Sequence, residues 1–231
     1  MNDFLLYGLN QHERLLNALW QHITLVFIAL IVSIVLAGLI TTFLYRLSKM
    51  RGRAAALSRL GEYVQGALSA LYAVPSLALF ALCIPLLGIG QNTAIVVLVV
   101  YNQFLLVRNF TAGLTEIDDG LVEAARSLGL NRLQTFVHVQ LPLAMPVFIA
   151  GIRLATVSTI SIATIASLID AGGLGDLLFI GLRTNNLDML LWATLLAALL
   201  ALMASGLLTL VENMFGRRSI RPQENPGHNL T

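Results

Sequence analysis

The chain has 231 residues, of which 57% are apolar and 11% charged, with a formal net charge of +2. An ordinary soluble domain carries charge on roughly a quarter of its residues, so this composition excludes one and indicates an integral membrane protein. The small positive balance gives no footing for nucleic-acid binding, and the few basic residues serve instead to orient the chain in a bilayer.

In chain order, residues 1–21 lack the basic n-region and small-residue cleavage site of a signal peptide and are expected to remain as an external segment. Leu5, Leu9, Leu16 and Trp20 fall near one helical face there, which suits an interfacial helix. Crossing a hydrocarbon core of roughly 30 Å takes about 20 apolar residues. Five segments qualify, at approximately 23–45, 63–87, 93–110, 145–169 and 190–211. Together they make a single transmembrane domain over 22–212, followed by a polar tail, 213–231, that contains Pro222 and Pro226. Cys83 stands alone within an apolar run, has no internal disulfide partner and reads as a small buried apolar residue.

Basic residues decide the orientation. One set of loops and flanks holds Arg46, Lys49, Arg51, Arg53, Arg59, Arg108, Arg126, Arg132, Arg217, Arg218 and Arg221, against only Arg14 and Arg183 in the other set, eleven to two. With Arg153 set aside inside a span, this places the N-terminus outside, and the tail and the 111–144 loop in the cytoplasm.

The spans carry their own polar signals. Pro75, followed by Ser76, interrupts the backbone ladder of the second span and frees a carbonyl, for a gate or simply for a kink. In the third span Tyr101, Asn102 and Gln103 are consecutive, so at least one must point into the bundle. In the fourth, Arg153, Thr156, Thr159, Thr164 and Ser167 gather within an arc of roughly 140°, with Ser158 and Ser161 on the other side. That arc either lines a translocation path or glues helices together, since Ser and Thr also bond back to carbonyls one turn earlier and Arg snorkels. After it, Ala171-Gly172-Gly173-Leu174-Gly175-Asp176 predicts a tight external turn, and 177–182 a short half-buried apolar helix.

The 111–144 loop is the most specific stretch. Asp118 and Asp119 are suited to cap a helix through Glu123 and Ala125, and Gly129 to close it in the left-handed conformation. Asn131 and Gln134 have the spacing of a capping box for a second short helix, expected to end before Leu141-Pro142, with Pro142 and Pro146 bracketing a bend into the membrane. Leu121, Ala124, Ala125 and Leu128 would give this helix-Gly-helix knob a narrow apolar face; the alternative is an amphipathic helix lying on the membrane, favoured by Arg126 and Arg132.

Glu123-Ala124-Ala125, Gly129, Val139 and Leu141-Pro142 make seven positions over twenty residues. In type and spacing they resemble the cytoplasmic coupling loop of the permease subunits of bacterial ATP-binding-cassette importers. The words around Tyr72 to Leu79, Gly151-Ile152-Arg153-Leu154-Ala155-Thr156 and Gly172-Gly173-Leu174-Gly175-Asp176 look most like permeases for glycine betaine, carnitine and choline. The resemblance implies an all-α type I importer permease fold of about five transmembrane helices, in the bacterial inner membrane. It implies that Glu123, Ala124, Ala125, Gly129, Leu141 and Pro142 engage a cytoplasmic ATP-binding subunit dimer that holds the ATP and magnesium. It implies also an extracytoplasmic substrate-binding protein and a second permease subunit, identical or related. The candidate path residues are Pro75, Ser76, Asn102, Arg153, Thr156, Thr159, Thr164 and Ser167.

The chain itself has no phosphate-cradling Gly-x-x-x-x-Gly-Lys-Ser/Thr loop, and no cofactor or metal is expected on it. A methionine or other small-solute permease is the alternative cargo reading. A channel or membrane-embedded enzyme is more remote: His12, His22, His138 and His228 are scattered and no two acids share a span. A tight quaternary-ammonium site would use an aromatic cage, and the aromatics of the spans are too dispersed in sequence to show one.

Overall fold

A computed structural model describes residues 2–48 and 54–216; the expected tail beyond residue 216 and the basic residues Lys49, Arg51 and Arg53 lie outside the described residues. The chain runs as α1 (Asn2–Asn10), α2 (His12–Ser48), α3 (Ala54–Ala73), α4 (Ser76–Leu87), α5 (Gln91–Thr115), α6 (Asp119–Ser127), α7 (Arg132–Thr135), a π-helical turn (Phe136–Gln140), α8 (Leu141–Ala166), α9 (Leu174–Arg183) and α10 (Leu187–Gly216). No strand occurs among the described residues. Helices satisfy their backbone groups internally, which a bilayer demands of every spanning segment.

Among the described residues four stretches are long and apolar enough to cross a membrane: His12–Arg46, Gln91–Thr115, Arg132–Ile169 and Leu187–Phe215. The fifth expected span is a bent pair, Leu60–Ala73 and Ser76–Leu87, meeting at 97°. Pro75 therefore does more than kink the helix. Held at φ −56° and ψ 134°, it caps α4 and ends the α3 ladder.

The first span starts earlier than its apolar core. Gln11 N–H donates to Tyr7 O (2.9 Å) and Leu15 N–H to Gln11 O (3.0 Å), so hydrogen bonding continues from α1 into α2 and on past residue 21. Leu5, Leu9, Leu16 and Trp20 are all exposed, as expected of one outward face. The segment is also tied to the bundle: Phe4 stacks on Trp192 of α10 at 4.7 Å, and Trp192 Nε1–H donates to Phe4 O at 2.8 Å.

α5 is the central helix. Thirteen of its residues, among them Val97, Leu98, Leu106 and Phe110, are buried, packed with Leu25 and Ala29 of α2, Phe80 of α4 and Ala155 and Ala163 of α8. Small residues let α5 and α8 approach closely: a Cβ on Gly151 would lie 2.6 Å from Asn109 Cβ.

The tight glycine turn and the short helix after it both form, with the helix beginning three residues earlier than expected. Gly172 and Gly173 take φ of +77° and +91°, Gly173 N–H donates to Gln21 Oε1 (3.2 Å), and α9 starts at Leu174. Its apolar face, Leu174 and Leu177, packs beside Leu15, Ala18, Met189 and Ala193. Gly175 rests directly on the end of α8. A Cβ there would collide with the Thr164 carbonyl oxygen and lie 2.5 Å from Ser167 Oγ.

Gly175→Ala is therefore expected to lower thermal stability in detergent by about 1–3 kcal/mol, the usual cost of overpacking. Gly206→Ala in α10, where a Cβ meets nothing within 4 Å, should be neutral or gain up to about 1 kcal/mol of helix propensity. Equal melting temperatures for Gly175→Ala and the parent would refute this view of the α8–α9 contact.

Candidate functional site

The loop between α5 and α8 forms as its local signals require. Asp118 is the N-cap of α6, its Oδ1 accepting from Gly120 N–H at 2.7 Å, while Asp119 occupies the first turn. At the other end Gly129, φ +90°, donates to Arg126 O (2.9 Å) and Leu130 N–H donates to Ala125 O (3.3 Å). These are the two bonds of a Schellman closure, with Gly129 in the left-handed position. The capping box of α7 is complete: Gln134 N–H to Asn131 Oδ1 and Asn131 N–H to Gln134 Oε1, both 2.9 Å.

Two expectations for this loop need correction. The second helix does not end before Leu141-Pro142; it passes through the π-helical turn Phe136–Gln140 into α8 without a break, and Arg132–Ile169 forms one helix of 38 residues. Leu141 N–H reaches back five residues to Phe136 O, and this wider turn accommodates Pro142, whose ring and missing N–H would disrupt an α-helical turn at that point. The second correction concerns the apolar face. Val122 and Ala125 turn inward and are buried, whereas Leu121, Ala124 and Leu128 are exposed.

Of the coupling candidates, Glu123, Ala124, Gly129 and Pro142 are thus exposed, Leu141 is half-buried and Ala125 supports the knob from within. A Cβ on Gly129 would meet nothing within 4 Å, so the backbone there is open to a partner surface.

The path candidates separate into four groups, the last of them Pro75 and Ser76 at the α3–α4 break. Asn102, Thr159 and Ser33 form a buried tie across α5, α8 and α2. The Thr159 hydroxyl is shared between Ala155 O (2.6 Å) and Asn102 Oδ1 (2.9 Å), and Asn102 Nδ2 donates to Ser33 Oγ (3.2 Å); adjacent Gln103 Nε2 donates to Ser33 O (3.3 Å). Thr156, also buried, bonds back to Ile152 O. Arg153 belongs to a second group, within 3.4 Å of Glu212 on α10 and donating to Thr209 Oγ at 3.3 Å. Thr164 and Ser167 lie under α9. The polar arc of α8 is therefore largely engaged in packing its own helices.

At the α3–α4 break, the Leu71 carbonyl that the missing Pro75 N–H leaves free accepts from Val74 N–H (3.2 Å), and the Tyr101 hydroxyl donates to Val74 O. Pro75 is exposed and Ser76 half-buried. Tyr72 meets Tyr101 (5.6 Å, edge-on) and Phe104 (4.7 Å), and the Arg108 guanidinium stands 5.9 Å from the Phe104 ring centre. Aromatics dispersed in sequence are thus gathered in space, which spacing along one helix cannot reveal. The Arg153–Glu212 pair had a readable signal: a lone base in one span and a lone acid at the end of another seek each other in hydrocarbon.

The family described as "Binding-protein-dependent transport system inner membrane component" matches residues 52–221. The chain belongs to this family. Among curated relatives, it is 35% identical to the carnitine transport permease protein OpuCB of Listeria monocytogenes over 218 residues, 94% of this chain and 95% of that one. It is 31% identical to the glycine betaine/carnitine/choline transport system permease protein OpuCB of Bacillus subtilis, covering 92% and 93%. Among solved structures, the inward-facing MetNI methionine ABC transporter aligns with a TM-score of 0.78 at 21% identity, covering 89% of this chain and 98% of that chain. The fold is that of an importer permease.

In this family member, Arg153→Met alone strands Glu212 and should cost about 1–2 kcal/mol, less than a fully buried pair because both side chains are partly exposed. Arg153→Met combined with Glu212→Leu should recover most of that loss in a thermal melt; additive losses would show that the pair does not interact.

Asp176, in the first turn of α9, has its carboxyl pushed up by burial and then by the neighbouring Asp170. A raised acid stabilises the fold fully below its ordinary value and loses that contribution as pH rises through the raised one. Melting temperature should accordingly fall as pH climbs above the ordinary carboxylate range, and Asp176→Asn should flatten the fall. An unchanged slope in that variant would exclude Asp176 as its source.

Proposed function

We propose that this chain is the membrane-spanning subunit of an ATP-driven importer for a quaternary-ammonium osmoprotectant such as glycine betaine, carnitine or choline. The observation that carries the reading is near full-length identity of 35% and 31% to permeases for those solutes. Methionine is the second reading, favoured by the TM-score of 0.78 to a methionine transporter, but at 21% identity that likeness speaks to fold alone. A separate ATP-binding subunit dimer, holding ATP and magnesium, would dock on the loop of α6 and α7. Glu123, Ala124 and Gly129 would meet it, with Ala125 setting the helix and Leu141 and Pro142 the base. A binding protein outside would deliver cargo, and a second permease subunit would complete the path.

The excess of basic residues on the loop side supports an external N-terminus, with the loop in the cytoplasm. For the path, Pro75 and Ser76 at the break, with Thr164 and Ser167 toward the outer turn, are the members that would border the passage. Asn102, Thr156, Thr159 and Arg153 would hold the helices behind it. The aromatic group of Tyr72 and Phe104 beside the break suits passage of a quaternary ammonium, whose charge is attracted by ring faces.

The test is ATP-dependent uptake of radiolabelled glycine betaine into proteoliposomes containing this chain, its ATPase and its binding protein. Gly129→Asp should insert normally yet reduce uptake and transport-stimulated ATP hydrolysis at least tenfold. Normal transport by that variant would sink the coupling role, uptake without ATP would make the chain a channel, and stronger competition by methionine than by choline or carnitine would overturn the cargo.

A further inference from the structure

A cavity of ≈ 520 Å³ opens where α2 and the π-helical turn leave the bundle, and Arg46 of α2, Arg126 of α6 and Arg132 of α7 all line it. None of the three has a carboxylate within ion-pair distance among the described residues, and no acid lines the cavity. Its floor is built rather than incidental: Gln140, 4% exposed, donates from Nε2 to the Tyr45 hydroxyl at 2.6 Å. Its wall includes the apolar Leu133 and Phe136.

Three exposed arginines from three elements line one cavity, a concentration of positive charge that attracts an anion. Each presents a planar fork matched to phosphate oxygens. The cavity lies at the end of the span His12–Arg46, where a spanning helix leaves the hydrocarbon core, and the same segments expose apolar Phe43 and Val137. Arg126, itself exposed, lies about 40° around α6 from buried Val122, nearer the buried side of the helix than Glu123 and Ala124. A lipid therefore fits the cavity better than an acidic protein surface approaching from below. We propose that Arg46, Arg126 and Arg132 form a binding site for the phosphate of an anionic phospholipid headgroup, the phosphatidylglycerol class, clamping the α6–α7 loop to the membrane. The inference rests on the membrane reading of the chain and is independent of its cargo.

The test is native mass spectrometry of the purified full chain in detergent with added phosphatidylglycerol, phosphatidylcholine or inorganic phosphate. About one phosphatidylglycerol should be retained per chain, phosphatidylcholine should not be, and Arg46→Gln/Arg126→Gln/Arg132→Gln should weaken retention at least tenfold. Arg126→Lys/Arg132→Lys, which keeps the charge and loses the forks, should fall between, so a folding defect in the triple variant does not decide the outcome. Arg14→Gln/Arg183→Gln, at the opposite end of the molecule, should leave retention unchanged.

Undiminished retention in the triple variant, or equal loss in the Arg14/Arg183 control, would overturn the proposal. Inorganic phosphate competing as well as the lipid would assign the site to a free anion instead. Lost assembly with the ATPase subunit at unchanged lipid retention would give the arginines to that protein.

Discussion

The buried tie between Ser33, Asn102 and Thr159 is the constraint on which the bundle depends. Water is absent from the interior of a membrane domain, so apolar side chains gain nothing there by leaving lipid for one another. Registration of helices must come from close packing and from the few polar groups that have to find partners. Here one amide on α5 joins a hydroxyl on α2 to a hydroxyl on α8, fixing the axial position of three spans at a single level. Gly151 against Asn109 lets α5 and α8 come near enough to be registered in this way.

Around that level the molecule divides into two ends of different character. At one end, glycine turns lay α9 against α8, α2 and α10. At the other, a capped and glycine-closed knob projects beneath basic residues that lack acidic partners within the described chain. The first end is packed helix on helix around its glycine turn, and the second presents surfaces still to be completed by other molecules. That polarity matches a subunit whose family works within a multi-component transport system.

Much of this was legible in the residues. Asp118, Gly129 and the Asn131–Gln134 box are short-range signals whose hydrogen bonds close within a few residues, and each formed as its chemistry dictates. The five apolar stretches were equally plain, because length and hydropathy alone decide them. What escaped was long-range or cumulative. Ala125 has the same chemistry as Ala124, and only the packing of α6 on its neighbours decides which of them is covered. The polar arc of α8 was correctly grouped by angle, yet angle does not say whether a face meets a cavity or another helix. Pro142 signalled a break, and the wider turn before it removed the need for one.

That uninterrupted α8 has a mechanical consequence. A helix of 38 residues, at about 1.5 Å per residue, is a rod of roughly 57 Å. It reaches from the loop at one side of the bilayer to the glycine turn at the other. Thr159, tied to Asn102, sits partway along it and acts as a fulcrum. Gly172 and Gly173, at φ of +77° and +91°, join the far end of that rod to α9. The span is thus one stiff element, and the π-helical turn is what allows its proline-bearing segment, the longer of the two arms about Thr159, to continue without a break.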